Sequence, residues 1–159
     1  MARGPTRRRV ILAGVAVAAS GAVCAGVVRL PDPAPGRRVL SEREAELTGL
    51  LGDAIWPEGN PIGVSSREAR LVDGVDELLA DTLGEDQVAG FRHLLRVLDL
   101  SIDIEGPPEA LLASLQDWQS PDMLVSRVAI DGIKAVLGMA YFNDDRVLAA
   151  VGFSSRCHV

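Results

Sequence analysis

Along most of this chain apolar residues return every three or four positions, in runs of helical length that glycine and proline cut short. Such spacing puts one greasy stripe on an α-helix and cannot serve a strand, whose inward positions alternate. Only Ile102-Asp103-Ile104 alternates, and it is too short to demand a strand. The first run places Leu47, Leu50, Leu51, Ala54 and Ile55 on one face, behind Ser41-Glu42-Arg43-Glu44. That start has the form of a capping box, in which Ser41 accepts from the Glu44 amide and Glu44 reaches back. Pro57 and Gly59 stop it. A second helix begins at Ser65 or Ser66 and turns Leu71, Val72, Val75, Leu78 and Leu79 inward until Gly84 breaks it. Glu85 to about Leu98 forms a third, with Val88, Phe91, Leu94, Leu95 and Leu98 on its stripe. Gly106-Pro107-Pro108 precedes a fourth, carrying Leu111, Leu112, Leu115 and Trp118. Ser120-Pro121 supplies an N-cap with proline in the first turn of a fifth. That helix runs to about Tyr141 and buries Leu124, Val125, Val128, Ile133, Val136 and Leu137. A short last helix from about Asp144 to Val151 ends at Gly152. The expected fold is all-α, a small irregular bundle over residues 41–153 with a tail at 154–159.

The front of the chain reads as an address. Arg3, Arg7, Arg8 and Arg9 are the only charges before Arg29, and Val10 to Val28 carry none. A basic front, an apolar middle and a small-residue end make residues 1–28 an export signal. Thr6-Arg7-Arg8-Arg9-Val10-Ile11-Leu12 is similar to the twin-arginine motif, with Arg7 and Arg8 as its pair, and the Ala- and Gly-rich middle is only mildly hydrophobic. Cleavage after Val23-Cys24-Ala25 is one reading; an uncleaved anchor is another, because the apolar stretch approaches the length that spans a bilayer. A lipoprotein, acylated at Cys24, fits less well with Gly21 three positions earlier. In each case the basic front stays in the cytoplasm and the body is exported, extracytoplasmic and associated with the cytoplasmic membrane. Residues 29–40 hold three prolines at alternate positions, which favours an extended, solvated linker.

Charge and composition narrow the function. Cutting near Ala25 leaves 12 basic residues against all 22 acidic ones. A surface so acidic repels phosphate, so nucleic acid is not the expected partner. Aromatics are 4% of the chain, leaving few rings to stack on bases, sugars or flavins. His93 sits one residue off its helix's stripe and His158 lies at the C-terminal end, neither with a second ligand at metal spacing. No glycine-rich loop follows a strand and no Cys-x-x-Cys-His occurs, so neither a dinucleotide fingerprint nor covalent haem is expected. The acidic pairs Glu85-Asp86 and Asp144-Asp145 stand at helix starts, where the helix dipole favours them. No catalytic residue, cofactor site or metal site is assigned to this chain.

Two features point to partners instead. If Cys24 leaves with the signal, Cys157 is the single remaining cysteine, either an intermolecular disulfide or a free thiol. Trp56 stands at a Pro-Gly loop, and Tyr141, Phe142 and Phe153 surround the last short helix. Trp56, Phe142 and Phe153 are candidate partner contacts, with closure of the core as the competing role.

Several of these segments together resemble a family. Leu40-Ser41-x-x-Glu44-Ala45-x-Leu47, the run into Ile55-Trp56-Pro57, Gly74-Val75-Asp76-Glu77-Leu78-Leu79, and Tyr141-Phe142-Asn143-Asp144-Asp145-Arg146-Val147 through Val151-Gly152-Phe153 look like the gluconate 2-dehydrogenase subunit 3 family. With the twin-arginine-type leader the resemblance covers residues 7 to about 153. From Leu83 to Pro121 it extends only to helical character, and the tail from Ser154 to Val159 replaces the family's Gly-Pro-like ending. The resemblance implies a non-catalytic small subunit of a periplasmic dehydrogenase complex that oxidises a sugar or another alcohol. FAD would sit in a partner, a flavoprotein large subunit of the glucose-methanol-choline type, and a membrane cytochrome c subunit would take the electrons. The small subunit would carry the signal to the export translocase, escort the flavoprotein across and stay bound. The alternative is a membrane-tethered extracytoplasmic helical interaction module unrelated to a dehydrogenase.

Overall fold

The computed structural model describes residues 30–101, 108–118 and 124–153. The described residues of the body form six α-helices: α1 (Glu42–Ile55), α2 (Leu71–Asp81), α3 (Glu85–Ser101), α4 (Pro108–Trp118), α5 (Leu124–Tyr141) and α6 (Asp145–Ala150). No strand occurs among the described residues, and the all-α expectation holds. α1 packs on α2, α3 and α4, and α5 packs on the same three, so these three helices are shared between two spines. The residues that fill the space are those of the stripes: Leu47 and Leu51, Val75 and Leu79, Leu95 and Leu98, Leu111 and Leu115, Val136 and Leu137. Each such side chain, fully buried, contributes about 1.5–3 kcal/mol relative to exposure. Ile130 joins them although it was not on the expected stripe of α5. Ser120-Pro121 and the side chains of Trp118, Leu124 and Val125 lie outside the described residues.

The capping box at α1 forms as read: the Ser41 N–H donates to Glu44 Oε2 at 2.8 Å, and the Glu44 N–H donates to Ser41 Oγ at 3.4 Å. The second helix is different. Ser65 and Glu68 do bond reciprocally in capping-box fashion, but the turn they start ends after four residues. Arg70 takes a left-handed conformation, φ 49°; its N–H donates to the Arg67 carbonyl and the Leu71 N–H to the Ser66 carbonyl. Those two bonds are a Schellman stop, which normally has glycine at the left-handed place. α2 therefore starts at Leu71, and periodicity could not reveal the break because the stripe runs on across it. The same motif closes α6 with Gly152 at φ 78°, where the Phe153 N–H donates to the Leu148 carbonyl. At Gly52 a Cβ would stand 2.4 Å from Leu71 Cδ2 and 3.1 Å from Ser66 Cβ, so glycine is what lets α1 and the start of α2 come this close.

The proline-rich stretch keeps its three prolines exposed, as its composition implies, but it is fastened to the body rather than free. Pro35-Gly36 forms a turn closed by the Arg37 N–H on the Ala34 carbonyl, with Gly36 at φ 82°, and the Ala34 N–H donates to the Leu40 carbonyl. Beyond the turn the chain lies against α2. The Asp76 carboxylate, buried there, accepts from the N–H groups of Arg38 at 2.8 Å, Val39 at 3.1 Å and Leu40 at 2.8 Å. Leu40 is itself fully buried.

Candidate interaction site

The ends of α1 and α5 meet in a group of rings. α1 stops at Trp56, whose N–H still reaches the Gly52 carbonyl at 2.7 Å. α5 delivers Tyr141 in its last turn and Phe142 just past it. Trp56 and Tyr141 stack with centroids 4.2 Å apart and planes 8° from parallel. Phe142 stands edge-on to both, 6.5 Å from Trp56 and 5.2 Å from Tyr141. Such stacked and edge contacts add about 0.5–1.5 kcal/mol per pair beyond the area buried.

The loop between Trp56 and the Ser65 turn is tied by one side chain. Asn60 Nδ2 donates to the carbonyls of Pro57 and Val64, both at 2.8 Å, and Asn60 Oδ1 accepts from the Ile62 N–H. The Tyr141 hydroxyl donates to the same Val64 carbonyl, locking ring to loop. Burial raises the Tyr141 phenol above its ordinary value, the nearby Asn60 side chain opposes this, and the Asp144 and Glu68 carboxylates add to the rise. At pH 7 it is a neutral donor, held in place rather than poised to ionise.

The expected contacts therefore divide. Tyr141 is fully buried and closes the core, Trp56 is half-buried against it, Phe142 is 43% exposed and Phe153 is 69% exposed. The structure brings Trp56 and Phe142 together, while Phe153 follows the Schellman stop of α6 next to exposed Val151. Beside the rings, Asp144 caps α6 and pairs with Arg146 at 2.9 Å; the Arg146 bond holds its carboxyl below the usual range despite some burial. His93 is a half-buried residue of α3. Arg7, Arg8, Cys24, Cys157 and His158 lie outside the described residues.

Sequence reading placed Glu44 in the capping box but missed the buried charge pair that it forms at the other end of α1. Glu44 and Arg92 are both buried: Arg92 Nε donates to Glu44 Oε1 and Oε2 at 3.0 Å, and Arg92 Nη2 donates to the Pro31 carbonyl at 2.6 Å. The signal was there to read. Arg92 falls four residues after Val88 and three before Leu95, and Asp76 four after Val72 and three before Leu79, so both occupy stripe positions. A groove of about 420 Å³ between α1 and α2 is floored by Leu50, Leu71 and Val72, and the Arg67–Asp53 and Arg70–Asp73 pairs lie along it.

Among the described residues no group of three metal-ligating side chains gathers, and no helix is long and apolar enough to cross a membrane. In comparison with known proteins, no family model, curated protein or solved structure matched this chain.

Proposed function

We propose that this chain is the non-catalytic small subunit of an exported, FAD-dependent sugar or alcohol dehydrogenase complex. Its leader, with Arg7 and Arg8, addresses the folded assembly to the twin-arginine translocase, and its helical body binds and stabilises the flavoprotein on the outer side of the cytoplasmic membrane. FAD belongs to that partner, and a membrane cytochrome c subunit accepts the electrons. One observation carries the reading furthest. Ile55-Trp56-Pro57 and Tyr141-Phe142-Asn143, two of the segments on which the family resemblance rests, are far apart in sequence yet meet as a single stacked joint. Phe142 leaves part of that joint open to solvent, and Phe153 stands exposed nearby in sequence. Half-open aromatics over a rigid base are the kind of surface on which binding energy concentrates.

The test is to isolate the tagged full-length chain from its native host and look for flavin absorption in the material that comes with it. A co-purifying flavoprotein, exported only when Arg7 and Arg8 are intact, supports the reading. Normal export of an Arg7→Lys, Arg8→Lys variant removes the twin-arginine step. A membrane-bound chain that brings no flavoprotein favours the tethered interaction module instead.

A further inference from the structure

The strap that joins the leader to the body contains two adjacent arginines, Arg37 and Arg38, and the protein closes that pair by holding its backbone. An endopeptidase of arginine specificity needs the chain on both sides of the cut drawn out, with its amides free to bond to the enzyme. Here the amides just after the first arginine are taken. Those of Arg38, Val39 and Leu40 all donate to the Asp76 carboxylate, which is only 5% exposed. The Arg37 amide closes the Pro35-Gly36 turn. The side chains are engaged as well, Arg37 with Asp73 and Arg38 with Asp81. Farther up the strap, Arg92 holds the Pro31 carbonyl while bonded to Glu44. The fasteners come from different helices: Asp76 from α2, Arg92 from α3 and its partner Glu44 from α1.

We propose that residues 31–39 form a fold-dependent strap that keeps the Arg37–Arg38 and Arg38–Val39 bonds closed to arginine-specific proteolysis, and that it opens as its own unit ahead of the helical core. When it opens, hydrolysis adds water across one of these peptide bonds, leaving a new carboxylate and a new amine. The body is then separated from everything upstream of the cut. The strap is weaker than the core because, before Leu40, its residues bury little apolar surface; Pro31, Asp32, Pro33, Pro35 and Arg38 are exposed. Low burial with a few polar fasteners is the profile of a segment that opens below the global unfolding free energy. The latch stands on the strap's own contacts and not on the dehydrogenase reading.

The experiment uses the full chain in wild-type and Asp76→Asn forms, with trypsin as the protease. Cuts after Arg37 and Arg38 are followed by mass spectrometry, and hydrogen exchange is measured at the amides of Arg38, Val39 and Leu40 and at core amides of Leu47 and Leu95. In the wild type the strap amides exchange faster than those two core amides, and the strap is cut slowly. Asp76→Asn removes charge-assisted bonds and speeds both strap exchange and strap cutting by at least about tenfold, with a smaller change in the core. Exchange of strap and core at one common rate in the wild type would overturn the proposal without any variant. So would rapid strap cutting in the wild type, or an Asp76→Asn chain whose strap is cut no faster.

Discussion

Where the strap meets α1 and α3, Glu44 and Arg92 lie out of water, bonded to each other, to the Ser41 amide and to the Pro31 carbonyl. Where the end of α1 meets the end of α5, three rings pack and one hydroxyl finds a carbonyl. The first joint is directional. Desolvation cancels much of the attraction between its charges, so the pair adds little net stability, yet removing either partner strands the other charge in the interior. The second joint is graded. Its rings contribute in proportion to what they bury, and a ring at its edge can remain partly in water at small cost. A closed polar joint fixes the geometry of one end, and a tolerant aromatic joint leaves the other end partly open to solvent.

The largest effect should come from the polar joint. Arg92→Ala leaves Glu44 buried without its cation and should cost about 3–5 kcal/mol by urea unfolding. A loss below about 1 kcal/mol would place the pair with ordinary surface ion pairs and erase the contrast. Acid should act at the same end. Burial pushes the Asp76 carboxyl up, but the amides of Arg38, Leu40 and Val39, with Arg37 nearby, outweigh it and hold it below the ordinary range. A depressed carboxyl contributes stability that is complete above its unfolded value and is lost as pH falls through the folded one. Stability should therefore decline as pH drops below about 4, and the decline should be shallower in Asp76→Asn. An unchanged acid slope in that variant would mean that Asp76 is not held as described.

In the aromatic joint the steps are smaller. Tyr141→Phe keeps the stack and loses one hydrogen bond, and the Val64 carbonyl still has Asn60, so unfolding should show a loss of about 1 kcal/mol. Arg70→Gly relieves a left-handed residue at the stop before α2, and the melting temperature should rise by the equivalent of about 0.5–1 kcal/mol. Phe142→Ala should cost the isolated body about 1 kcal/mol, two edge contacts at the weak end of their range. In the proposed complex the effect should be larger, with association to the flavoprotein weakened by about 2 kcal/mol. A Phe142→Ala body that melts far lower while binding its partner normally would make that ring a core residue instead.

The helices were legible because burial imposes a period, and most stripe residues from Leu47 to Leu137 are where periodicity puts them. The capping box at Ser41 was legible because its chemistry is local. The break at Arg70 was not, since any residue can be forced left-handed when both flanking turns demand it, and arginine gives no sign of it. The fastening of the strap was not legible for a related reason. Its prolines argue for a solvated chain, but the fastener is a carboxylate far along the sequence in α2. Of the candidate site, the sequence pointed to the aromatics without telling Tyr141, which is sealed in, from Phe142, which is not. That distinction depends on how α5 is rotated against the end of α1, which no local pattern encodes.

The sharing of α2, α3 and α4 between α1 and α5 has a consequence for how the chain is made. The two spines stand near opposite ends of the body's sequence, so each of the three helices between them lacks one wall until the last is synthesised. A nascent chain that has emerged only as far as α4 can coil locally but cannot seal its core. Contacts of such long sequence separation slow folding and leave apolar surface uncovered in the meantime. Emergence of α5, rather than of any earlier helix, should set the moment at which this body becomes compact, and truncation before α5 should yield a sticky, protease-sensitive product instead of a smaller domain.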